Sequence, residues 1–215
     1  MELLDTLGIK DSVIFKKTNN KNPRISIKQE GIVIVSIPHF YTKDQTLKLL
    51  STHQQWIQKN LEKIKHSHLQ VQELLDTHRN EILFFGKWIA HTPNINLSFL
   101  KKSLLEYLKT RTAQIAAHMG LEYTKISVRE SKTRLGSCSY QNNLSFSLLL
   151  VFAPAYLIDY VIVHELSHIV HKNHSRDFWG LVGRFYPQHK QRRKELHQNV
   201  RFYIPLLDRI SALSS

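Results

Sequence analysis

The feature that most constrains this chain is the stretch Val161–His174, which contains the pattern His-Glu-x-x-His. Residues four apart on a helix lie on one face, so the imidazoles of His164 and His168 can converge on one metal ion. Glu165 is rotated by roughly 100° from His164, beside such an ion, where a carboxylate can take a proton from an activated water. The apolar neighbours indicate a buried helix, in which these polar side chains are costly unless paired or bound.

A third ligand requires the chain to turn after this helix. His171 lies on nearly the same helix face as the first two histidines, and three ligands in a row cannot surround one ion tetrahedrally. His174 can do so if the helix ends near Lys172 and the backbone reverses at Asn173, a residue type that tolerates positive φ. Ser175 can then cap the next helix. We therefore predict His174, rather than His171, as the third ligand, and zinc as the metal.

Composition places few limits on function. The 215 residues suffice for one sizeable domain or two small ones, with 42% hydrophobic and 22% charged residues, as in soluble globular proteins. Cys138 is the single cysteine, which excludes an internal disulfide and fits a reducing cytoplasm. The apolar region 144–163 is interrupted by Pro154 and Asp159 and favours a strand and a helix over a membrane span, so no membrane partner is expected.

The strong basic charge points to anionic partners without identifying one. The formal net charge is +13, which favours nucleic acid, nucleotides or an acidic surface. The densest basic run, Lys190–Lys194, is also typical of a solvated helix face. Charge therefore leaves nucleic acid as a candidate partner only.

The hydrophobic pattern predicts an α+β fold. β-branched segments within residues 12–38, around the turn Lys28–Gly31, indicate a hairpin. A helix over 42–66 and a polar linker over 65–80 follow. We predict an N-terminal β-hairpin and helix region over residues 1–80 and a second domain over 81–215, or one continuous domain.

The second half begins with further regular structure. A hairpin is predicted over 81–98, with Gly86 and Lys87 at its turn. Ser98 opens a helix to Met119, and Gly120 terminates it in a left-handed conformation. A short strand at 126–128 precedes a loop over 131–139 rich in small and polar residues.

A strand over 143–150 precedes the His-Glu-x-x-His helix, with Pro154 in the first turn of that helix. An exposed edge on this strand can pair with an extended peptide, which makes Leu144 and Phe146 candidate substrate-binding residues. Arg134 and Tyr140 are further candidates for substrate binding. Donors to a transition-state oxyanion could be any of Arg134, Tyr140, His171, Tyr186 and His189. Cys138 reads as a small buried thiol or a regulatory ligand.

Three blocks of this sequence, Arg134–Ser139, Ile158–His168 and Asn173–Trp179, resemble the YgjP-like metallopeptidase domain. That family usually has an aromatic residue before Gly-Ser-Cys, whereas this chain has Leu135 at that position. The family is similar to SprT-like and other small zincins, which implies a C-terminal minimal zincin core: a strand, the His-Glu-x-x-His helix and the helices that follow. By this resemblance, zinc is held by His164, His168 and His174, and Glu165 is the general base.

The substrate remains open at the level of sequence, and three functions compete. The first is a zinc-dependent peptidase that acts on extended polypeptide through a water activated by Glu165. The second is a metal-dependent nucleoside-triphosphate pyrophosphatase, an activity described for some YgjP-like proteins. It would lack a Gly-x-x-x-x-Gly-Lys phosphate loop here, and an all-histidine ligand set suits zinc better than magnesium. The third is a DNA-associated protease tethered by its basic surface.

Overall fold

The structure, a computed structural model, describes residues 9, 12–28 and 30–213 of the chain. It divides into two compact units, Met1–Leu74 and Leu75–Ser215, and the predicted α+β class is confirmed. The division falls within a long helix, a few residues before the boundary predicted at residue 80. The candidate catalytic residues all belong to the second unit.

The first unit is built on a three-stranded sheet. Its strands are β1 (Val13–Thr18), β2 (Arg24–Ile27) and β3 (Val33–Pro38), in the order β1-β3-β2. The predicted hairpin is β2–β3, which is antiparallel and turns through Gly31 at φ +80°. Strand β1 pairs parallel to β3. Side chains of β3 and the first two helices form the core: Val33, Val35, Ile37, Leu50 and Ile57.

Two helices occupy the region where the sequence predicted one helix and a linker. Helix α1 (Lys43–Thr52) begins at a capping box between Thr42 and Gln45, and helix α2 (Gln54–Thr77) follows after His53. The predicted linker over 65–80 is wrong for most of its length. Val71 is buried in α2, and Leu75, one turn later, packs on the core of the second unit. The polar residues between them occupy the exposed faces of a continuing helix.

The second unit contains two small sheets and four α-helices. A hairpin is formed by β4 (Glu81–Phe84) and β5 (Lys87–Ala90), and the other sheet has the order β6-β8-β7. Those three strands are β6 (Lys125–Arg129), β7 (Gly136–Cys138) and β8 (Asn143–Ser147), which a short 3₁₀ helix (Leu148–Phe152) follows. The α-helices are α3 (Leu97–Met119), α4 (Ala155–Val170), α5 (Arg176–Phe185) and α6 (His189–Leu213).

The β4–β5 hairpin turn packs against the start of α4. The turn residues are Phe85 and Gly86, with φ of +46° and +79°, one position earlier than predicted. Two consecutive positive φ values are typical of the tightest hairpin turns. A Cβ on Gly86 would lie 2.7 Å from Pro154 Cβ, and Phe85 N donates to Val151 O at 2.8 Å. The turn therefore needs glycine for both its dihedral angles and its packing.

Helix α3 begins and ends at identifiable caps. Asn96, rather than the predicted Ser98, is the N-cap, and its side chain accepts a hydrogen bond from Phe99 N. Gly120 ends the helix at φ +66°, which confirms the predicted left-handed termination. Leu100, Leu104 and Leu108 are fully buried, so α3 supplies one wall of the core around α4.

Helix α6 is tied to the beginning of the second unit by one side chain. The Arg209 guanidinium donates to three backbone carbonyls: Nη1 to Leu75 O at 3.3 Å and His78 O at 3.1 Å, and Nη2 to Glu81 O at 2.5 Å. These bonds join the last helix to the segment that leads into β4. Within the described part of the chain, no helix is long and apolar enough to cross a membrane.

Candidate metal centre and active site

Helix α4 is the central helix of the second unit and carries the His-Glu-x-x-His pattern. It contacts α3, α5, α6 and strand β7, and its apolar residues from Leu157 to Val163 are buried or nearly so. This packing fixes the position and rotation of the helix. His164 and His168 consequently face one side of it, toward the chain that returns after the helix.

The three predicted ligands come together in the structure. One ligand atom from each of His164, His168 and His174 lies within 4.8 Å of the others, and Nε2 of His164 is 3.0 Å from Nε2 of His174. Two nitrogens on a tetrahedral zinc ion lie roughly 3.3 Å apart when each zinc–nitrogen bond is about 2.0–2.1 Å. The donor atoms therefore fit a single ion of this kind.

Helix α4 ends earlier than the sequence predicted, and the chain leaves it in a different backbone conformation. Helix α4 ends at Val170, and His171 is its C-cap in an extended conformation, with φ −121°. Asn173 is not among the residues with positive φ in the described ranges, so the predicted left-handed stop at this residue is wrong. Ser175 caps α5 as predicted, because its side chain accepts from Phe178 N. An extended His171, followed by a bend at residues 172–173, brings His174 back to the first two histidines.

Hydrogen bonding and burial keep the histidines able to bind a metal. His168 Nδ1 donates to His171 O at 3.0 Å, which leaves its Nε2 lone pair for a ligand. Burial, and then the neighbouring His168 and His174, lower the pKa of His164 to about 3. Burial also lowers the pKa of His168. Neutral imidazole is the form that binds a metal ion.

Two aromatic residues of α5 pack on all three histidines. The Phe178 ring is 4.5–4.9 Å from the rings of His164, His168 and His174, and the Trp179 ring stacks on His174 at 5.6 Å. His164 Nδ1 is buried without a hydrogen-bond partner among the described residues. The orientation of the His164 ring therefore depends on this aromatic packing.

Glu165 is buried beside the histidines and lies against strand β7. It is 4% exposed, and burial raises the pKa of its carboxyl group to about 8. A Cβ on Gly136 would be 2.6 Å from both Cγ and Cδ of Glu165. Glycine at this position therefore leaves the space that the carboxylate occupies. A carboxyl group with a raised pKa inside a cleft is a common feature of catalytic acids and bases.

The strand predicted to bind substrate is the wrong one. Strand β8 is paired on both sides, parallel to β6 and antiparallel to β7, so neither edge can accept a peptide. Leu144 and Phe146 are 0% and 1% exposed and belong to the core. The sequence missed this because β7, only three residues long, lies in the segment interpreted as a loop.

The edge strands of this sheet are β6 and β7, and β7 is the edge strand that lies against Glu165. Leu135 O accepts from Ser147 N, and Ser139 N donates to Asn143 O. Backbone N–H and C=O groups alternate in direction along a strand, so Ser137, which lies two residues from both Leu135 and Ser139, also directs its groups toward β8. The backbone groups of Gly136 and Cys138 therefore face away from β8. The unpaired edge therefore begins at the glycine that contacts Glu165.

A cleft of about 730 Å³ surrounds Glu165 and the three histidines. Of the two polar residues predicted to bind substrate, Arg134 lines the cleft, whereas Tyr140 lies at the exposed β7–β8 turn outside its wall. His171, Tyr186 and His189, the other candidate oxyanion donors, also lie outside the wall. The sequence missed four polar or aromatic wall residues from α4, α5 and α6: Tyr160, Trp179, Arg193 and His197. Arg193 lies in the basic run Lys190–Lys194, which was interpreted as a solvated helix face, and only the packing of α6 shows that Arg193 and His197 line the cleft.

Cys138 lies on the cleft wall and is half-buried. Burial raises the pKa of its thiol, and it is not a member of the histidine cluster. The structure therefore gives it the environment of a protonated thiol rather than a reactive thiolate.

Fold and site together define a class, that of α+β proteins with a buried His-Glu-x-x-His helix and a third histidine from the segment that follows. Comparison with known families gives the particular member of this class. The family described as "YgjP-like, metallopeptidase domain" matches residues 21–92 and 90–199. The chain belongs to the YgjP-like metallopeptidase domain family, and the resemblance read from its sequence is confirmed.

Comparison with solved structures gives a match over less than half of this chain. The metallopeptidase zymogen of Pyrococcus abyssi abylysin aligns with 17% identity and a TM-score of 0.39, over 41% of this chain and 90% of its own. No functionally curated protein matches the chain. Family membership supports a metallopeptidase, and hence a hydrolase that uses a metal ion.

Proposed function

We propose that this protein is a zinc metallopeptidase that cleaves extended polypeptide, with Glu165 as general base. The observation that carries the proposal is the convergence of His164, His168 and His174 beside Glu165, in a cleft that the free edge of β7 borders. Three neutral imidazoles favour zinc over magnesium or calcium, which prefer oxygen ligands. A bound zinc ion would polarise the scissile carbonyl and lower the pKa of a water toward about 7.

The chain's own residues supply the remaining steps. The backbone groups of Gly136 and Cys138 can pair with an extended substrate and hold it along β7. Glu165 removes a proton from the attacking water and can return it to the amine of the leaving group. A nearby divalent cation favours the ionised carboxylate, which offsets the effect of burial on the Glu165 pKa.

Two further expectations from the sequence remain part of this proposal. We assign the peptidase activity to a domain that corresponds to the second unit, and we place the protein in the cytoplasm, since its single cysteine cannot form an internal disulfide. Nucleotide hydrolysis and nucleic-acid binding, the alternatives from sequence, gain no support from the family match.

The deciding experiment compares metal content and proteolysis in two matched variants. Glu165→Gln should keep about one zinc ion per chain and lose proteolysis by roughly 10²–10⁴-fold, the usual contribution of a general base. Glu122→Gln makes the same change at an exposed site outside the cleft and should behave as wild type. Full proteolysis by Glu165→Gln would refute the mechanism.

Two alanine variants test whether His174 is a metal ligand. His174→Ala should lose zinc affinity, because it removes one of the three converging nitrogens. His171→Ala should retain it, because His171 contacts His168 through its backbone carbonyl, which alanine preserves. Isothermal titration with zinc measures both. Equal zinc affinity in the two variants would rule out His174 as a ligand.

A further inference from the structure

The charged side chains of the cleft wall are predominantly positive. Four cationic side chains line it, and Glu165 is the one carboxylate among the described residues of the wall. The cations come from separate elements: Lys132 and Arg134 from the loop before β7, Lys172 from the segment after α4, and Arg193 from α6. Since they approach from different sides, their fields add within the cleft.

Most of this positive charge has no compensating carboxylate. Lys132 pairs with Asp208. Lys172 donates to Ser139 O and Asn142 Oδ1, which are neutral acceptors and leave its charge in place. Within residues 9, 12–28 and 30–213, neither Arg134 nor Arg193 has a salt-bridge partner.

Arg193 is the cation that the structure places most specifically. Its guanidinium carbon lies 5.0 Å from the centre of the Trp179 ring, and that ring stacks on His174. The preceding residue of the helix differs: Arg192 pairs with Glu195 at 2.9 Å and lies over Tyr156 outside the cleft. Arg193 is thus held by an aromatic face, which leaves its hydrogen-bond donors available beside the candidate metal ligands.

We propose that the cleft selects polypeptide segments with an acidic side chain next to the bond that is cut, and that Arg193 recognises this side chain. The inference rests on the proposed peptidase function and adds the substrate class. A guanidinium presents paired donors that match a carboxylate, and a hydrogen bond between two charged groups is stronger than one between neutral groups. A nucleic acid is also an anion, but the free backbone edge of β7 is complementary to an extended peptide.

The test measures binding separately from cleavage. Zinc-loaded Glu165→Gln protein is titrated against two fluorescent peptides that differ only by glutamate or glutamine beside the cleavable bond, with fluorescence anisotropy as the readout. The glutamate peptide should bind roughly tenfold more tightly, as for a charge-assisted hydrogen bond, and this preference should weaken as salt is added.

Two second-site variants locate the effect. Arg193→Gln should bring the two affinities close together. Lys194→Gln removes the same formal charge one residue away, at an exposed position outside the cleft wall, and should keep the preference. Equal affinity for both peptides, or the same preference in Arg193→Gln, overturns the inference. So does a single-stranded oligonucleotide that competes more strongly than the glutamate peptide and loses this advantage in Arg193→Gln.

Cleavage of the same peptides by the wild-type enzyme separates this inference from the function on which it rests. If the glutamate peptide binds selectively and neither peptide is cut, peptidase activity fails and acidic selectivity stands. If both peptides are cut and bind equally, selectivity fails and peptidase activity stands.

Discussion

At the scale of single residues, the contact between Gly136 and Glu165 links a strand to the proposed general base. Because a Cβ at residue 136 would fall 2.6 Å from two carbons of the Glu165 side chain, any larger residue must displace that side chain. Buried side chains resist such displacement, since the core around them is close-packed. The glycine of Gly-Ser-Cys lies in strand β7, and the Glu165 side chain packed against it leaves no space for a larger residue.

Gly136→Ala should lower the free energy of unfolding by about 1–3 kcal/mol, the usual range for overpacking, and should reduce peptidase activity. Gly180→Ala is the matched control, because a Cβ there meets nothing within 4 Å and alanine favours a helix by about 1 kcal/mol. Chemical denaturation and a peptidase assay measure both. Unchanged stability and activity in Gly136→Ala would show that Glu165 does not need this space.

The burial of Glu165 also gives a stability that depends on pH in the metal-free protein. Its pKa is raised from 4.5 to about 8, so between these pH values the unfolded chain has released a proton that the folded chain keeps. The free energy of unfolding therefore falls as pH rises through this window. Below it, both states are protonated and the penalty is absent.

Metal-free Glu165→Gln should consequently be more stable than metal-free wild type, by little at pH 4.5 and by an amount on the order of a few kcal/mol above pH 8. The comparison cancels the contribution of His164, whose pKa is lowered, because both proteins contain it. Thermal unfolding with a chelator present measures the difference. A difference that does not grow with pH would mean that Glu165 is not held protonated by burial.

At the scale of secondary-structure elements, the N-cap of α5 positions the third histidine. The Ser175 side chain accepts a hydrogen bond from Phe178 N at 3.3 Å. His174 directly precedes Ser175, and the Phe178 ring packs against the His174 ring. Loss of the cap frees the first turn of α5, which carries Phe178 and directly follows His174 and Ser175.

Ser175→Ala should reduce the free energy of unfolding by about 1 kcal/mol and weaken zinc binding. Thr42→Ala removes an equivalent cap from α1 in the first unit and should lower stability by a similar amount with zinc affinity unchanged. Denaturation and zinc titration on both variants separate a general loss of stability from a local effect on the site. Equal zinc affinity in the two variants would contradict this role for Ser175.

The elements also show what sequence can and cannot predict. His164, His168 and Glu165 were predicted from spacing, because a helix fixes which residues share a face, whereas His174 was predicted from the need for the chain to turn after the helix. Strand β7 was missed because three residues of small and polar type carry no strand pattern, and its pairing with β8 exists only in the folded chain. Arg193 was missed for a related reason. The basic residues of Lys190–Lys194 look equivalent in the sequence, and only the packing of the folded helix shows which of them lines the cleft.

At the scale of the whole molecule, the division into two units predicts an independent catalytic fragment. The second unit has its own core, formed by α3, the 3₁₀ helix, α4 and α6, and it holds the full candidate site. Residues 75–215 should therefore fold with a single cooperative transition, bind zinc and cleave peptides. Circular dichroism melts and zinc titration of this fragment provide the check. A fragment without a cooperative transition would show that the first unit is needed for folding.

The bonds made by Arg209 have a consequence for proteolysis. Its guanidinium holds the carbonyls of His78 and Glu81, which lie on either side of Arg79, a residue with an 80% exposed side chain. Trypsin has an accessible target there, yet both new chain ends would stay attached to the same arginine of α6. A protein nicked after Arg79 should therefore run as two pieces in a denaturing gel while it still elutes from a sizing column as one.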